Sequence, residues 1–321
     1  MKTQYKIGTI ASHSSLNILA GARDEGFDTV LYVIKGREEF YQSLDLANEL
    51  IILDNYQDIF SQYSEDVIII PHGSFVAYLS LSKLMDSNLK LFGNKDLLIW
   101  EHERAKKELL MNEAGLKLPK DFSNQEEIKF PVIVKYDGAE GGKGYFIAKN
   151  ETELKDRLNT AKPSFIQEFI IGTKVYTTYF NSIIRNRLEI FGTDIRYESD
   201  VDTQIQLHDN PAFQIVGNIP MVLRESLLIN YFNMGKAFAK VVHEKLEIPM
   251  IGPFCLETVI DRNLDIYTFE FSGRIVAGTN IFVPTSPYGY IQFGKNMSMG
   301  RRIALEIREA IESDRLNEVI I

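Results

Sequence analysis

Cysteine is nearly missing from this 321-residue chain: Cys255 is the only one. That excludes an internal disulfide and any cysteine-built metal cluster, and it fits a reducing, cytoplasmic setting with Cys255 as a small buried hydrophobe. No apolar run approaches the length of a membrane span, and the N-terminal MKTQYKIGTIASHSS lacks the sustained apolar core of a secretory leader, so no membrane partner is expected. A basic excess is also missing. With 35 Lys and Arg against 44 Asp and Glu, the formal net charge is −9, which argues against nucleic acid as a partner and confines any phosphate contact to a local cluster. No internal repeat or low-complexity tract is present. What remains is ordinary globular composition, 45% hydrophobic and 25% charged, in a chain long enough for two or three domains.

Residues 1 to about 95 alternate strand and helix signals. Strands are expected at 7–11, 29–34, 50–53 and 67–70, and helices at 14–25 and 38–49. Such alternation predicts an α/β domain with a parallel sheet, whose ligands gather at the carboxyl ends of the strands. The residues expected at those ends are reactive or hydrogen-bonding: Ser12, His13, Ser14 and Ser15 after the first strand, and His72, Gly73 and Ser74 after the fourth. Hydroxyls at a helix start can cap it and can also hold an anion. A long helix is expected from Asn94 to about Leu118, with Arg104, Lys106 and Lys107 forming a solvated basic face.

The stretch PVIVKYDGAEGGKGYFIA, 131–148, places an apolar strand ending at Lys135 before a loop with four glycines and a second apolar strand. Two antiparallel strands joined by a glycine-rich flap follow, since glycine permits backbone conformations and close approaches that other residues do not. Lys135 and Lys143 would then direct cations at what the flap covers, and a polyphosphate fits. A helix is expected at 151–160 and a strand at 164–171. The C-terminal half carries strand signals at 176–180, 188–193, 254–260 and 266–271, with helices at about 225–245 and 299–314. Glu257 and Glu270 lie on neighbouring strands joined by a turn at Asn263, so an antiparallel pairing can set both carboxylates on one side to share a hard divalent cation. Arg274 adds a cation suited to a transferring phosphoryl group.

A strand lysine, a glycine flap, QEFI at 167–170, paired acidic strands and a following arginine resemble the ATP-grasp fold. In order along the chain, SHSSLNILAGARDEGF, PHGSFVAYL, FGNK, GGKGYF, RYES, GNIPMVLRESLL, GPFCLE and FEFSGRIVAGTN resemble the archaeal PurP family of formate-dependent 5-formaminoimidazole-4-carboxamide ribonucleotide synthetases. The resemblance implies activation of formate by ATP as formyl phosphate, then attack by the amine of AICAR to give FAICAR, ADP and phosphate, a step of IMP biosynthesis. It implies that His13, Ser74 and Asn218 contact AICAR, with Ser14 beside them. Glu198, Gly141, Gly142, Lys143, Gly144, Gln167, Glu168, Phe169 and Ile170 would contact ATP together with Lys135. Glu257 and Glu270 would bind Mg²⁺, with Mn²⁺ as a substitute, and Lys135 and Arg274 would serve the transferring phosphoryl group. A preceding Rossmann-like substrate domain at 1–95, a small ATP-grasp subdomain at 96–165, a large one at 166–321 and a homo-oligomer are expected. The segment from 199 to 217 is shorter than the family's, which leaves a ligase with another acceptor as the alternative. A non-catalytic nucleotide-binding protein is disfavoured, because it would not need the paired carboxylates and Arg274.

Overall fold

A computed structural model describes residues 4–122, 127–135, 145–158, 165–198 and 215–320. The N-terminal part is a five-stranded parallel sheet of β1 (Lys6–Ile10), β2 (Thr29–Ile34), β3 (Glu49–Leu53), β4 (Val67–Ile69) and β5 (Lys90–Leu91), in the order β3-β2-β1-β4-β5. The central strands read as unbroken β-branched and aliphatic runs because helices cover both faces of the sheet. Those helices are α1 (Ser15–Asp24), α2 (Glu38–Ser43), α3 (Ile59–Gln62), α4 (Gly73–Tyr78) and α5 (Leu81–Asp86).

Two helices follow, α6 (Lys95–His102) and α7 (Arg104–Glu113), where the sequence predicts one. Glu103 between them is extended, with φ −88° and ψ 111°, although neither glycine nor proline marks the break. The two segments share one core through Leu97 of α6, which packs with Leu110 and Met111 of α7, and α6 also reaches a second core. Leu98 packs under the parallel sheet, whereas Leu110 and Met111 pack with Phe238, Phe254 and Phe271. The predicted helix at 38–49 is also short: it stops at Ser43, Asp45 takes a positive φ of 49°, and Glu49 already pairs with Val30.

A small antiparallel sheet, β7-β6-β8, contains β6 (Val132–Lys135), β7 (Tyr145–Ala148) and β8 (Phe165–Glu168), and α8 (Glu151–Arg157) packs against it. The large antiparallel sheet has the order β11-β10-β9-β12-β13, from β9 (Gly172–Ser182), β10 (Arg187–Glu198), β11 (Ile215–Met221), β12 (Gly252–Asp261) and β13 (Ile266–Ser272). Helix α9 (Glu225–Leu246) covers one face through Tyr231, Phe238 and Val242. Two further helices, α10 (Pro287–Phe293) and α11 (Met299–Glu312), close the chain.

The N-terminal and C-terminal parts share one core. Ile7, Ile18 and Phe27 pack in the same buried cluster as Phe180, Phe191, Ile303 and Ile307. Between α1 and α11 the backbones nearly touch, because a Cβ on Gly300 would lie 2.0 Å from the Asn17 carbonyl oxygen. Among the described residues no helix is long and apolar enough to cross a membrane.

Candidate active site

The site is built on one face of the large sheet. Glu270 on β13 is the direct cross-strand partner of Glu257 on β12, Glu257 of Tyr176 on β9, and Tyr176 of Asp194 on β10. Directly opposed residues of an antiparallel ladder project from the same face, so this register aligns three carboxyls and a phenol in a row across four strands. The expected convergence of Glu257 and Glu270 is therefore present, and it depends on a bulge: the register next to the turn pairs Thr258 with Thr268, and the extra residue Phe269 in β13 is what brings Glu270 opposite Glu257.

The two glutamates of this row are each matched by a cation from another element. Arg196, two residues along β10 from Asp194, meets Glu257 at 3.1 Å and stacks its guanidinium 3.8 Å from the centre of the Tyr176 ring. Ser272 donates its hydroxyl to Glu257 at 3.3 Å. Lys107 of α7 forms an ion pair with Glu270. This corrects the reading of 104–107 as a solvated face: Lys107 is turned inward, while Arg104 lies over the Phe165 ring and Lys106 pairs with exposed Glu103. Glu198 is buried and pairs with Lys174.

Lys135 ends β6 and donates to the Gln167 side chain of β8 at 3.0 Å. Burial, reinforced by nearby Arg104 and Lys107, lowers its ammonium to about 8. Lys107, Lys135, Gln167 and Glu270 line a cleft of about 70 Å³ between α7, the small sheet and β13. Gln167 thus joins the site. Glu168 instead turns its carboxylate to the Lys120 amide at 3.3 Å, and Phe169 uses its amide to extend the small sheet through the Pro131 carbonyl at 3.0 Å. Ile170 is half-buried just beyond β8. Gly141, Gly142, Lys143 and Gly144 lie outside the described residues.

After β13 the chain returns to the N-terminal sheet. Glu101 of α6 accepts from Arg274 Nη2 at 2.8 Å and from the Gly273 amide at 2.8 Å, which fixes this turn. Arg274 Nε is buried with no hydrogen-bond partner among the described residues, so the guanidinium retains a donor for a ligand. A parallel bridge between Ile275 and His72 then brings Arg274 to the carboxyl edge of the parallel sheet.

There the two histidine rings lie parallel, 5.4 Å apart. His72 is fully buried, bonds the Ile10 carbonyl through Nε2 at 2.9 Å and accepts the Ser74 amide at Nδ1, so Nε2 carries the proton. Burial lowers its pKa to about 4. His13 sits in a left-handed turn with φ 51°, its Nδ1 2.8 Å from Ser14 Oγ, and burial, with Arg274 and His72 nearby, lowers its pKa to about 2. Ser14 is buried but does not cap α1 through its side chain; its hydroxyl serves His13 instead. Ser74 is buried at the start of α4. Asn218 on edge strand β11 donates to Asp194 at 3.0 Å. The 3₁₀ turn Ala277–Phe282 connects these groups, since Asn280 donates to the His13 carbonyl at 2.8 Å and Gly278 lies against Asp194.

Sequence reasoning missed Lys107, Arg196, Asp194, Glu101 and Lys174. The inward-facing charges at alternate positions of β10, in TDIRYE, are the signal that could have found Asp194 and Arg196.

Among the described residues no group of three or more His, Cys, Asp or Glu could hold a metal ion. Two opposed carboxylates do fit Mg²⁺, which keeps several waters and completes its shell with phosphate oxygens. The donor set therefore suits a cation arriving with a polyphosphate, with Arg196 and Lys107 balancing the carboxylates otherwise.

Family models match most of the chain: a domain of unknown function, DUF1297, over 148–321, a protein of unknown function, DUF1246, over 7–122, and the ATP-binding domain of the carbamoyl-phosphate synthase L chain over 104–176. The chain is 44% identical to a 5-formaminoimidazole-4-carboxamide-1-(beta)-D-ribofuranosyl 5'-monophosphate synthetase of Ignicoccus hospitalis, over 98% of this chain and 95% of that protein. It is 45% identical to the Sulfolobus acidocaldarius protein of the same name, over 97% and 98%. A solved IMP biosynthesis protein PurP from Thermococcus kodakaraensis superposes with a TM-score of 0.84 at 33% identity, covering 98% of this chain and all of that one. An ADP complex of N5-carboxyaminoimidazole synthetase from Staphylococcus aureus shares the fold, with a TM-score of 0.67 at 16% identity over 96% of this chain and 78% of that one. With its ATP-grasp fold and near full-length relatives, this chain belongs to the family of 5-formaminoimidazole-4-carboxamide ribonucleotide synthetases.

Proposed function

We propose that the chain joins formate to the amine of AICAR at the expense of ATP, giving FAICAR, ADP and phosphate. The observation that carries this reading is the position of the Glu257–Glu270 pair. It lies between a lysine-lined cleft on one side and, on the other, the sheet edge with His13 and Ser74. A nucleotide donor and a ribonucleotide acceptor can thus meet over one set of charges.

A formate oxygen attacks the γ-phosphorus and ADP departs; the amine nitrogen then attacks the formyl carbon, phosphate departs with the C–O bonding pair, and the proton the amine loses goes to the departing phosphate. Phosphoryl transfer asks the protein mainly to position the reactants and neutralise charge. Lys107 and Lys135, which line one cleft, would face phosphate oxygens, with Lys135 held by its hydrogen bond to Gln167. Arg274, anchored by Glu101, can direct its free Nε–H at the transferring group. Mg²⁺, or Mn²⁺ in its place, would be held by Glu257 and Glu270 and would supply further neutralisation of the phosphate oxygens. His13, Ser74 and Asn218 would hold the acceptor, and Glu198 with the 141–144 flap would hold ATP. Exclusion of water protects the acyl phosphate from hydrolysis.

The test is to incubate the protein with Mg²⁺, ATP and formate, with and without AICAR, and to measure ADP and FAICAR. Equal amounts of both products, dependent on formate and AICAR together, are expected. ADP release with formate but no FAICAR would overturn AICAR as the acceptor.

A further inference from the structure

Asp194 is fully buried on β10, and the mechanism above does not use it. Its Oδ2 accepts from Asn218 Nδ2 at 3.0 Å, and its Oδ1 has no hydrogen-bond partner among the described residues. An ionised carboxylate can only accept, whereas a side-chain amide can present either its oxygen or its nitrogen. A carboxylate behind Asn218 therefore removes that choice: Nδ2 must face Asp194, and the amide oxygen must face the other way. Where amide orientation is otherwise ambiguous, this pairing settles it chemically.

The placement is specific. Gly278 packs so closely that an added Cβ would lie 2.2 Å from Asp194 Oδ1, and the same 3₁₀ turn holds His13 through Asn280. Asp194 thus lies under the side of the site that carries His13, at the end of the row formed by Tyr176, Glu257 and Glu270.

We propose that Asp194 is a positioning residue that makes Asn218 an obligate hydrogen-bond acceptor, so that the site selects an amine or carboxamide N–H on the formyl acceptor. The inference rests on the acceptor lying against Asn218, as in the reading above. It accounts for an otherwise costly buried carboxyl: a protein that needed only a filled core would place an apolar residue there.

The lock carries its own pH signature. Burial raises Asp194 to about 6, opposed by Arg196 on its own strand and by the Asn218 hydrogen bond, and assisted by Glu257 on β12. Tyr176 on β9 and Cys255 on β12 also face this region, and burial drives both further from ionisation, so neither titrates near neutrality. The 3₁₀ turn contributes Gly278, which does not titrate. Once protonated, Asp194 can donate as well as accept, and Asn218 is no longer held in one orientation.

The experiment is a double-mutant cycle on the KM of the amine that drives ADP release, using Asp194→Leu, Asn218→Ala and the double variant. Asp194→Leu is expected to raise KM about tenfold, the scale of one net hydrogen bond, with kcat within threefold. In the Asn218→Ala background the same substitution should change KM less than twofold. Asp194→Asn, whose carbonyl can still accept, should recover most of the loss, and it should abolish a rise in wild-type KM as pH falls through about 6. Equal effects of Asp194→Leu in both backgrounds, or an acid rise in KM that persists in Asp194→Asn, would overturn the proposal. If AICAR drives no ADP release and another amine does, AICAR as substrate fails, and the cycle on that other amine still judges Asp194.

Discussion

Glu257 and Glu270 illustrate how residue-scale chemistry depends on what else is buried nearby. Changing either to Gln keeps shape and burial while removing a charge that Arg196 or Lys107 now balances. Formate-dependent ADP formation should fall by about 10²-fold or more in each variant, with the circular dichroism spectrum unchanged. Turnover within threefold of wild type in both would show that the pair does not hold the metal. A second residue-scale prediction concerns proton linkage. His72 is depressed to about 4 in the folded chain, against an ordinary value near 6.5, so the unfolded chain binds the extra proton between these limits. Stability is therefore present above pH 6.5 and is lost as pH falls toward 4. Asp194, raised to about 6 when folded, acts oppositely, because below pH 6 the folded chain binds the proton first. Between pH 6 and 4 Asp194 therefore offsets only one of two histidines, because burial, with Arg274 and His72 nearby, also lowers His13 to about 2. Asp194→Asn should expose the histidine term, adding a pH slope of up to about 1.4 kcal/mol per unit to urea-unfolding free energies. A slope unchanged by the substitution would contradict the assignment.

At the scale of elements, helix α11 is tied to the large sheet by a buried charge network. Arg302 is fully buried, meets Glu189 at 2.9 Å and Glu306 at 2.9 Å, and lies over the Phe180 ring; Glu306 also accepts from Ser182 and from the Ile184 amide. Removing only the cation leaves Glu306 with no charge partner among the described residues and Glu189 with Arg187 alone. Arg302→Met should cost about 3–5 kcal/mol in chemical denaturation, whereas the triple change with Glu189→Gln and Glu306→Gln should recover a substantial part of that. A loss in the triple variant as large as in the single one would show that packing of the arginine stem, rather than charge pairing, holds α11.

For the whole molecule, the shared core means that the parallel sheet and the large antiparallel sheet stand or fall together. Gly21 and Gly300 let α1 and α11 approach until a Cβ at Gly21 would lie 1.9 Å from the Arg301 amide nitrogen. Gly21→Val should separate these helices and destabilise the chain by about 1–3 kcal/mol, seen as a melting temperature lower by several degrees in calorimetry. Because α1 follows directly on His13, acceptor use should weaken along with stability. A variant that melts as wild type would mean that the interface adapts without cost.

The sequence alone determined the local patterns of this protein. Unbroken aliphatic runs marked the parallel strands, the lysine and glycine pattern marked β6 with β7, and a short turn made the strands of Glu257 and Glu270 neighbours, although the bulge at Phe269 that sets the two carboxylates opposite one another had no mark in the sequence. The ordered motifs indicated family and fold. Tertiary structure decided which charges face one another. Lys107 and Glu270 are 163 residues apart, and Arg274 and Glu101 are 173 apart, so no local pattern could pair them. The break at Glu103 has the same origin: α6 buries Leu98 under the parallel sheet and Leu97 in the core that α7 joins through Leu110 and Met111, and meeting both demands overrides a favourable helical sequence. Asp194 is the clearest case. Its side chain is ordinary in sequence, and only burial beneath Gly278 and behind Asn218 gives it a role.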